Sequence, residues 1–571
     1  MNHQFLHSQG DGPALRIGII SCNQTIPAFA RQILEDIAAS DFAHTVCVID
    51  CCDKSSPNKP FHWIKTLVAT LGDSSKRHCL FYKAYQTLIE PLHPISPDPL
   101  EKVPFDDLID SENIIRTTIG ISRSTLQADK SGAIRPPPDI DVLLDFSTLK
   151  PDAIHPIKAR DGIWFYRLGE GHRLTNDTNL IASVLEDPAS TARIMLEREE
   201  SSSRPPTILA EAYFSLTPNL SARHNRFPPY WGTTHFVIEK LRELHQSGQA
   251  RSIADEPAIT DAPALASPTN QQVISYQRQR IARTLSRLPT AIRKGQFSLH
   301  WQIAIRQSAT PLLNEQDEKA ALKQFKWLQS PPNHFWADPF LLEYEGSTWL
   351  FFEDFDILQE KGKIACGRID DNGDLIEVQT VLERDYHLSF PLVFRHQGKI
   401  YMVPESAHHQ RVDLFYARHF PEDWVLEKQL LDVSVVDATL YQHAGRWWML
   451  ASPMAVPGHT PMTCLWTAEQ LTGEWALAPA GTISNDVHYS RNGGSIFTWE
   501  DSHYRISQDC SRGYGTALWF NKILQWDART YKEQPCRRID GHTIPGLLGI
   551  HSYNRTGNLE VIDGKFLHPG R

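Results

Sequence analysis

The feature of this 571-residue chain that most constrains its fold is a hairpin that recurs five times in its second half. Each copy is a short apolar strand, a tight turn and a second apolar strand that ends in polar residues. The turns fall at Gly346, Gly398, Gly445, Asp501 and Gly557, at separations of 52, 47, 56 and 56 residues. A repeat of this length with β-strand texture predicts a β-propeller, whose blades are four-stranded sheets around a channel.

The number of copies predicts the number of blades. Five units in the 271 residues from Trp301 to Arg571 predict an all-β, five-bladed ring. The strand WQIAIRQ at 301–307 precedes the first copy, and we expect it to lie beside the last blade. That pairing would close the ring and remove exposed sheet edges.

Ring geometry is expected to bring polar strand ends to one mouth of the channel. The first strand of every blade starts at the same mouth, and the antiparallel second strand returns to it. Side chains that are far apart in the sequence should therefore share one opening. The strand starts are Asp338, Asp437, Arg491, Asn492 and His551, and the strand ends are Glu353, Asp354, Glu405, Ser406 and Asp509.

Carboxylates crowded at such a mouth push one another's pKa values apart. One carboxyl group can then hold a proton while another stays ionised, which is the division of roles that glycosidic chemistry requires. Neighbouring aromatic rings could stack on sugars, and Arg491 could hold a carboxylate or phosphate through its planar fork. The aromatic candidates are Phe335, Trp336, Phe390, Trp447 and Trp448.

Each acidic candidate also has a purely structural interpretation. Strand-end carboxylates often only solubilise turns, and we interpret Asp501 and Asp563 in this way. For Asp338 the functional interpretation is favoured, because an Asp-Pro pair before a channel-facing strand lowers the strand propensity of the segment. For Asp437 and Glu405 both interpretations stay open, since the first could cap a turn and the second could mark a strand end.

The first half of the chain predicts an α/β domain, because apolar strands alternate with amphipathic helices. The predicted elements are strands at 15–20, 45–50, 139–146 and 162–166 and helices at 26–39 and 233–245. The run 246–272 is polar and Ala/Pro/Ser-rich, which predicts a linker. Residues 273–294 predict a connecting helix that is interrupted at Pro289. We therefore expect domains at 1–245 and 298–571, joined by a linker and helix over 246–297.

Composition excludes some classes of function. The net charge of −10 argues against a nucleic-acid partner. Nine Cys without metal-ligand spacing, two of them adjacent at Cys51 and Cys52, predict reduced thiols and no metal site in a cytoplasmic protein. No signal peptide and no transmembrane segment is predicted. Contact with a membrane surface through the basic helix at 273–294 stays an alternative.

The second half resembles two known groups of propellers. The stretches that carry the resemblance are "WADPF", "FPLVFRHQGKIYMVPES", "VDATLYQHAGRWWMLAS", "LTGEW" and "SQDCSRGYG". They resemble the family 43-type glycoside hydrolases and, more closely, the N-terminal propeller of plant glucosamine inositolphosphorylceramide transferases and their bacterial relatives. The resemblance implies a base or nucleophile at Asp338, with Asp437 tuning its pKa and Glu405 as acid. It also implies a nucleotide-sugar or lipid-linked substrate.

The first half resembles the formyltransferase-type α/β domain of methionyl-tRNA and sugar N-formyltransferases. The supporting stretches are "LRIGIISCNQTIPAFARQIL", "DIDVLLDFS" and "GIWFYRLGEG". The resemblance implies an Asn, a His and an Asp around a folate-borne formyl group. The position after "GIW" usually supplies that His but is Phe165 here, and the next His is His172. We therefore expect a degenerate domain that does not bind folate.

These observations predict a carbohydrate-active enzyme, a glycosyltransferase of glycolipid or surface-polysaccharide biosynthesis, acting on a sugar or glycolipid. No cofactor is required, although a nucleotide-sugar donor fits. The alternatives are a glycoside hydrolase, a non-catalytic glycan-binding module and a sugar N-formyltransferase. The predicted catalytic residues are Asp338, Glu405 and Asp437, and the predicted substrate-binding residues are Trp336, Asp354, Phe390, Arg491, Asp509 and His551.

Overall fold

The protein consists of two compact units, Met1–Ser286 and Arg287–Arg571. The structure is a computed structural model, and each unit is described by itself. It describes residues 3–8, 10–52, 80–85, 96–108, 115–122, 125–127, 139–147, 159–169, 191–200, 204–217, 221–253, 269–293, 297–454, 462–527 and 529–569. The domain boundaries expected from the sequence stay predictions.

The N-terminal unit is built on a mixed sheet whose central strands are parallel and whose outer pairs are antiparallel. Its strands are β1 (Leu15–Cys22), β2 (Ile26–Pro27), β3 (Ala43–Cys52), β4 (Lys102–Val103), β5 (Ile115–Ser122), β6 (Thr125–Gln127), β7 (Val142–Asp145), β8 (Ile163–Leu168), β9 (Thr191–Glu199) and β10 (Thr207–Ser215). Eight of them form one sheet in the order β10-β9-β8-β7-β1-β3-β5-β6. The pairs β1–β3, β1–β7, β3–β5 and β7–β8 are parallel, so the α/β layer expected from the sequence is present.

Helices alternate with these strands in the described part of the chain, and some of them pack against the sheet. They are α1 (Ala28–Ala39), α2 (Leu80–Ala84), α3 (Ala222–Trp231), α4 (His235–Ser247) and α5 (Asn270–Arg293). In α1 the buried residues Phe29, Ile33 and Ile37 recur every four positions, which places them on one face of the helix. Phe29 meets the ring of Tyr166 edge to face, with centroids 5.4 Å apart.

Two sequence expectations about this unit have different outcomes. The helix expected at 273–294 is present as α5, but it continues through Pro289, so the expected interruption is wrong. Most of the expected linker and His172 lie outside the described residues. Phe165 is buried in β8. The relation to formyltransferases stays a prediction.

The C-terminal unit is a five-bladed β-propeller, as the sequence predicts. Before the first blade come β11 (Phe297–Gln307), the short helix α6 (Glu318–Leu322) and β12 (Lys326–Trp327). Blades 1 and 2 consist of β13 (His334–Tyr344), β14 (Ser347–Asp356), β15 (Lys361–Ile369), β16 (Leu375–Leu382), β17 (Ser389–His396), β18 (Lys399–Glu405), β19 (Val412–His419) and β20 (Asp423–Leu431). Blades 3 and 4 consist of β21 (Val435–His443), β22 (Arg446–Pro453), β23 (Thr463–Ala468), β24 (Ala476–Ser484), β25 (Phe497–Trp499), β26 (Ser502–Asp509), β27 (Ala517–Trp526) and β28 (Tyr531–Asp540). Blade 5 contains β29 (Leu547–Thr556) and β30 (Leu559–Pro569).

The recurring turns join the two inner strands of each blade. In blade 1, Glu345 and Gly346 have φ angles of 48° and 76°. Two successive positive φ values define a type I′ turn, whose twist matches that of the flanking strands. The pairs Gln397-Gly398, Ala444-Gly445 and Glu500-Asp501 repeat this backbone in the next three blades. The repeat in the sequence is therefore a repeat of turn geometry.

The ring is closed by the strand that the sequence places there. β11 pairs with β30 in antiparallel register from Phe297–Pro569 to Gln307–Leu559. Blade 5 thus has the order β12-β11-β30-β29, with its two outer strands drawn from the chain before blade 1. This mixed blade ties the two ends of the propeller together and leaves no open gap in the ring.

Among the described residues, no helix is both long enough and apolar enough to cross a membrane.

Candidate functional site

The innermost strands of three blades carry the same distortion. Register breaks fall between Ala337 and Phe340 in β13, between Ser389 and Leu392 in β17, and between Val436 and Thr439 in β21. Within these breaks Asp338, Phe390 and Asp437 have φ angles of 52°, 43° and 54°. Positive φ is uncommon for residues other than glycine, and a bulge redirects the side chain that it carries. Such strain persists where the surroundings hold it, often at functional sites.

Hydrogen bonds between neighbouring blades run around the channel, and most of them involve a bulge residue. They run from Phe390 N to Asp338 Oδ2 (3.2 Å), from Asp437 N to Glu405 Oε2 (3.1 Å), from Asn492 Nδ2 to Asp437 O (2.9 Å), from Tyr553 N to Gly493 O (2.8 Å) and from Ser552 Oγ to Asp338 Oδ1 (3.0 Å). Together they link every blade to the next around the channel. We call Asp338, Glu353, Glu405, Asp437 and Asp563 the carboxylate cluster.

Asp338 is coupled to a His-Asp pair from blade 5. His551 Nδ1 lies 2.7 Å from Asp563, and its Nε2 lies 3.7 Å from Asp338 Oδ1. Asp563 also accepts hydrogen bonds from the backbone N–H groups of Asp338, His551 and Ser552, so it fixes the orientation of the imidazole. The ring of Trp301 stacks on the imidazole of His551, with the two ring centroids 3.7 Å apart.

The same contacts set the protonation of this centre. Burial raises the pKa of Asp338 to about 6, with the Asp563 charge adding to the effect and His551 opposing it. Burial would lower the pKa of His551, but the charges of Asp563 and Asp338 outweigh it, so the pKa is raised. We therefore expect Asp338 to be ionised at neutral pH with His551 as its neighbouring donor.

The pKa of Glu405 is raised further than that of Asp338. Burial raises its pKa to about 8, and the neighbouring Asp437 charge adds to this while Arg491 opposes it. Asp437 itself is ion-paired with Arg491 Nε and accepts a 3.2 Å hydrogen bond from Gln508 Nε2. We therefore expect Glu405 to be mostly protonated at neutral pH, beside the Asp437 carboxylate that Arg491 holds.

Arg491 is held in place by a buried arginine of blade 4. Arg505 is fully buried and donates to the carbonyls of Tyr489 at 2.7 Å and Ser490 at 3.0 Å. It also forms an ion pair with Glu533. The backbone immediately before Arg491 is thus fixed by a side chain that does not face the site.

Glu353 is a further member of the cluster. It lies opposite Ala337 in the β13–β14 pair, and burial together with the Asp338 charge raises its pKa well above the usual value. His387 Nε2 lies 3.5 Å from Glu353 Oε1, and His387 Nδ1 accepts a hydrogen bond from Gly362 N. Burial lowers the pKa of His387 to about 4, so its neutral ring presents an N–H to Glu353.

One group of residues has the composition of a metal site. Ligand atoms of Asp338, His551 and Asp563 all lie within 4.8 Å of one another, and all three residues are buried. Two carboxylates and an imidazole suit several divalent cations. The sequence predicts no metal, because its Cys and His residues lack metal-ligand spacing.

The structure brings together five of the nine predicted site residues: Asp338, Glu405, Asp437, Arg491 and His551. The side chains of the other four have partners within the fold. Trp336 packs in the core between blades 5 and 1 and donates from Nε1 to Asp354 at 3.1 Å. Asp509 is ion-paired with Arg538, and the buried ring of Phe390 packs edge to face on Phe340. A substrate-binding role for these four stays a prediction.

Sequence reasoning misjudged one residue and missed others. Asp563 was expected to solubilise a turn, but it is wholly buried in β30 and organises His551, so that expectation is wrong. Trp301, Tyr514 and Lys565 were not singled out. The available signal for Asp563 was its position inside an apolar strand, "LEVIDGKFL", where a turn carboxylate does not belong.

The comparisons with known proteins concern this same part of the chain. Residues 309–540 match the family model described as glucosamine inositolphosphorylceramide transferase 1, N-terminal. Glucosamine inositolphosphorylceramide transferase 1 of Oryza sativa subsp. japonica is 36% identical over 209 residues, which cover 36% of this chain and 28% of that protein. The protein of the same name from Arabidopsis thaliana is 34% identical over 207 residues, covering 35% and 27%. The chain thus matches little more than a quarter of these relatives' length.

Solved structures give weaker similarities. A thermostable family-43 glycoside hydrolase is 13% identical with a TM-score of 0.28, covering 35% of this chain and 74% of that one. An exo-β-1,3-galactanase from Phanerochaete chrysosporium is 10% identical with a TM-score of 0.28, covering 36% and 49%. Scores this low carry no argument about activity. By sequence, the propeller half of this chain is similar to the N-terminal domain of glucosamine inositolphosphorylceramide transferases.

Proposed function

We propose that the carboxylate cluster is a carbohydrate site that catalyses glycosyl transfer in glycolipid or surface-polysaccharide biosynthesis. The observation that carries this proposal is the separation in protonation between Asp338, with a pKa of about 6, and Glu405, with a pKa of about 8. They come from different blades; the charge of Asp437 raises the pKa of both, and the charge of Asp338 raises that of Glu405. The curated relatives are named as transferases, which supports the same class of reaction.

The proposed roles follow from these protonation states. Ionised Asp338 takes the proton of the attacking hydroxyl group, and protonated Glu405 gives a proton to the leaving oxygen. The carboxylate of Asp437 pairs with the Nε of Arg491, and Asp563 keeps His551 oriented toward Asp338. Trp301 and Tyr514 provide an aromatic surface beside His551.

A donor screen tests the proposal and separates it from its alternatives. The full chain is incubated with a panel of nucleotide sugars and a phosphoinositol-containing lipid acceptor, and products are followed by mass spectrometry. Transfer of a sugar to the lipid is the expected result. Release of free sugar from glycosides would support the hydrolase instead, and saturable glycan binding without any turnover would support the binding module. Formyl transfer to an amino sugar would move the activity to the N-terminal unit.

The pH dependence of turnover should be bell-shaped. Asp338 must be ionised, so the rate should rise with pH through about 6, and Glu405 must be protonated, so the rate should fall through about 8. The measurement is kcat/KM between pH 5 and 9 at constant ionic strength. In Glu405→Gln the residual activity should lose the alkaline limb and keep the acidic one. A profile that stays flat between pH 5 and 9 would contradict the assignment of these two groups.

A further inference from the structure

Lys565 is a half-buried cation that has no carboxylate partner in the described part of the chain. Its Nζ donates to the carbonyl of Tyr514 at 3.0 Å and lies 5.4 Å from the centroid of the Trp301 ring. An ammonium group held in this way has spare donors and would be stabilised by an anion.

Arg491 has spare hydrogen-bonding capacity on the same side of the cluster. Its Nε is paired with Asp437, whereas neither Nη nitrogen donates to an acceptor among the described residues. Its side chain is 21% exposed, so it is not sealed inside the fold. That planar fork matches the oxygens of a phosphate group.

One aromatic ring connects the two cations. The guanidinium carbon of Arg491 lies 4.8 Å from the centroid of Tyr514, and Lys565 Nζ lies 5.9 Å from it. Tyr514 belongs to the loop between β26 and β27. This loop approaches the centre closely because Gly515, at φ 62°, has no Cβ, and a Cβ there would lie 2.7 Å from Trp301 and 2.8 Å from His551.

We propose that Arg491 and Lys565, around the Tyr514 ring, form an anion subsite that binds a phosphate ester of the glycosyl substrate. The inference rests on the proposed function and adds a substrate class, a sugar that carries a phosphate ester. Two sources share this chemistry: the diphosphate of an activated donor and the phosphodiester of a lipid-linked sugar. Because Glu405 is protonated at neutral pH, the neighbouring cluster repels such an anion less than five carboxylates would.

The surface beyond Lys565 bears on the choice between these sources. Leu567 follows two residues later on β30 and pairs with Leu299 on β11, and each is 50% exposed. Residues two apart on a strand share a face, so Leu567 lies on the face of Lys565 and Leu299 on that of Trp301. An alkyl chain attached to a phosphate at Lys565 would contact both leucines, whereas a nucleoside diphosphate has no alkyl chain to pack on them.

Calorimetric titration of the full chain with inorganic pyrophosphate tests the subsite. We expect saturable binding by the wild type and a loss of about tenfold or more in Lys565→Met, since a charge-assisted hydrogen bond is removed. The matched control is Lys532→Met, an exposed lysine of β28, which should bind like the wild type. Absence of pyrophosphate binding by the wild type, or equal binding by Lys565→Met, would overturn the proposal.

Competition identifies the source. Displacement of pyrophosphate by uridine diphosphate would assign the subsite to a donor diphosphate. Displacement by phosphatidylinositol vesicles, but not by phosphatidylcholine vesicles, and weakened in Leu567→Ser, would assign it to a lipid-linked phosphodiester. Displacement by neither would contradict a phosphate-ester ligand. Lys565-dependent binding without any sugar turnover would support the subsite and contradict the glycosyl-transfer proposal. Sugar turnover without pyrophosphate binding would support glycosyl transfer and contradict the subsite.

Discussion

Asp338→Asn should lower turnover about 10³-fold, within the range expected when a general base is removed. The variant should keep its fold, because Asn tolerates the left-handed backbone that Asp338 adopts at φ 52°. Its amide oxygen can accept from Phe390 N while its amide nitrogen donates to Ser552 Oγ, so both hydrogen bonds of the bulge survive. The measurements are kcat/KM with the donor found in the screen, substrate affinity, and the melting temperature.

The melting temperature of Asp338→Asn should not fall, because a buried carboxyl group with a raised pKa opposes the folded state when it is ionised. The matched control is Asp501→Asn. Asp501 is exposed in the β25–β26 turn and has a φ of 60°, so the substitution and backbone are the same while the site is remote. Full activity in Asp338→Asn would remove this residue from the mechanism, and equal losses in both variants would point to a folding defect.

Arg306→Met should destabilise the propeller by about 1.5–3 kcal/mol, the usual net value of hydrogen bonds to a charged group, because Glu560 keeps Arg555 Nη1 at 3.1 Å as a second cation. Arg306 of β11 and Glu560 of β30 are 1% and 0% exposed and are ion-paired across the strands that close the ring. Glu560 also accepts from Leu312 N at 2.7 Å and from the Tyr553 hydroxyl at 2.6 Å, so it ties β11, β29 and β30 together.

Urea unfolding of the full chain measures this effect, and two transitions are to be fitted because the chain has two units. The transition assigned to the propeller should shift to lower urea concentration. Arg368→Met is the control, since Arg368 makes a two-point ion pair with Glu377 that is largely exposed. Its loss should cost less than about 1 kcal/mol. Equal effects of the two substitutions would mean that the closing strands contribute little to the stability of the ring.

The blades could be predicted from the sequence because their information is local. A type I′ turn needs two residues that accept positive φ, and the strands on either side need alternating apolar residues. Both requirements are met within about twenty residues of Gly346, and the same holds at Gly398 and Gly445. Repetition of a local rule fixed the number of blades, and the spare strand at 301–307 predicted how the ring would close.

Part of the site could be predicted for a related reason. In a ring, strand starts from all blades meet, so Asp338, Asp437, Arg491 and His551 were grouped without any knowledge of their side-chain directions. Side-chain direction could not be predicted in the same way. Phe390 stands within the bulge of β17, as Asp338 and Asp437 do in β13 and β21, yet its ring packs on Phe340 while the two carboxylates join the cluster. A strict alternation of faces does not survive an inserted residue.

The amino-acid sequence alone determined the ring of five hairpins and the polar character of its strand ends, since turn chemistry and alternation act between neighbours in the chain. Tertiary structure decided which polar groups became a site. Asp563 and Lys565 gained their roles only when β30 paired with β11, which brought Trp301 onto His551. Their charges and protonation depend on burial and on groups from other blades, and these contacts exist only after the ring has closed.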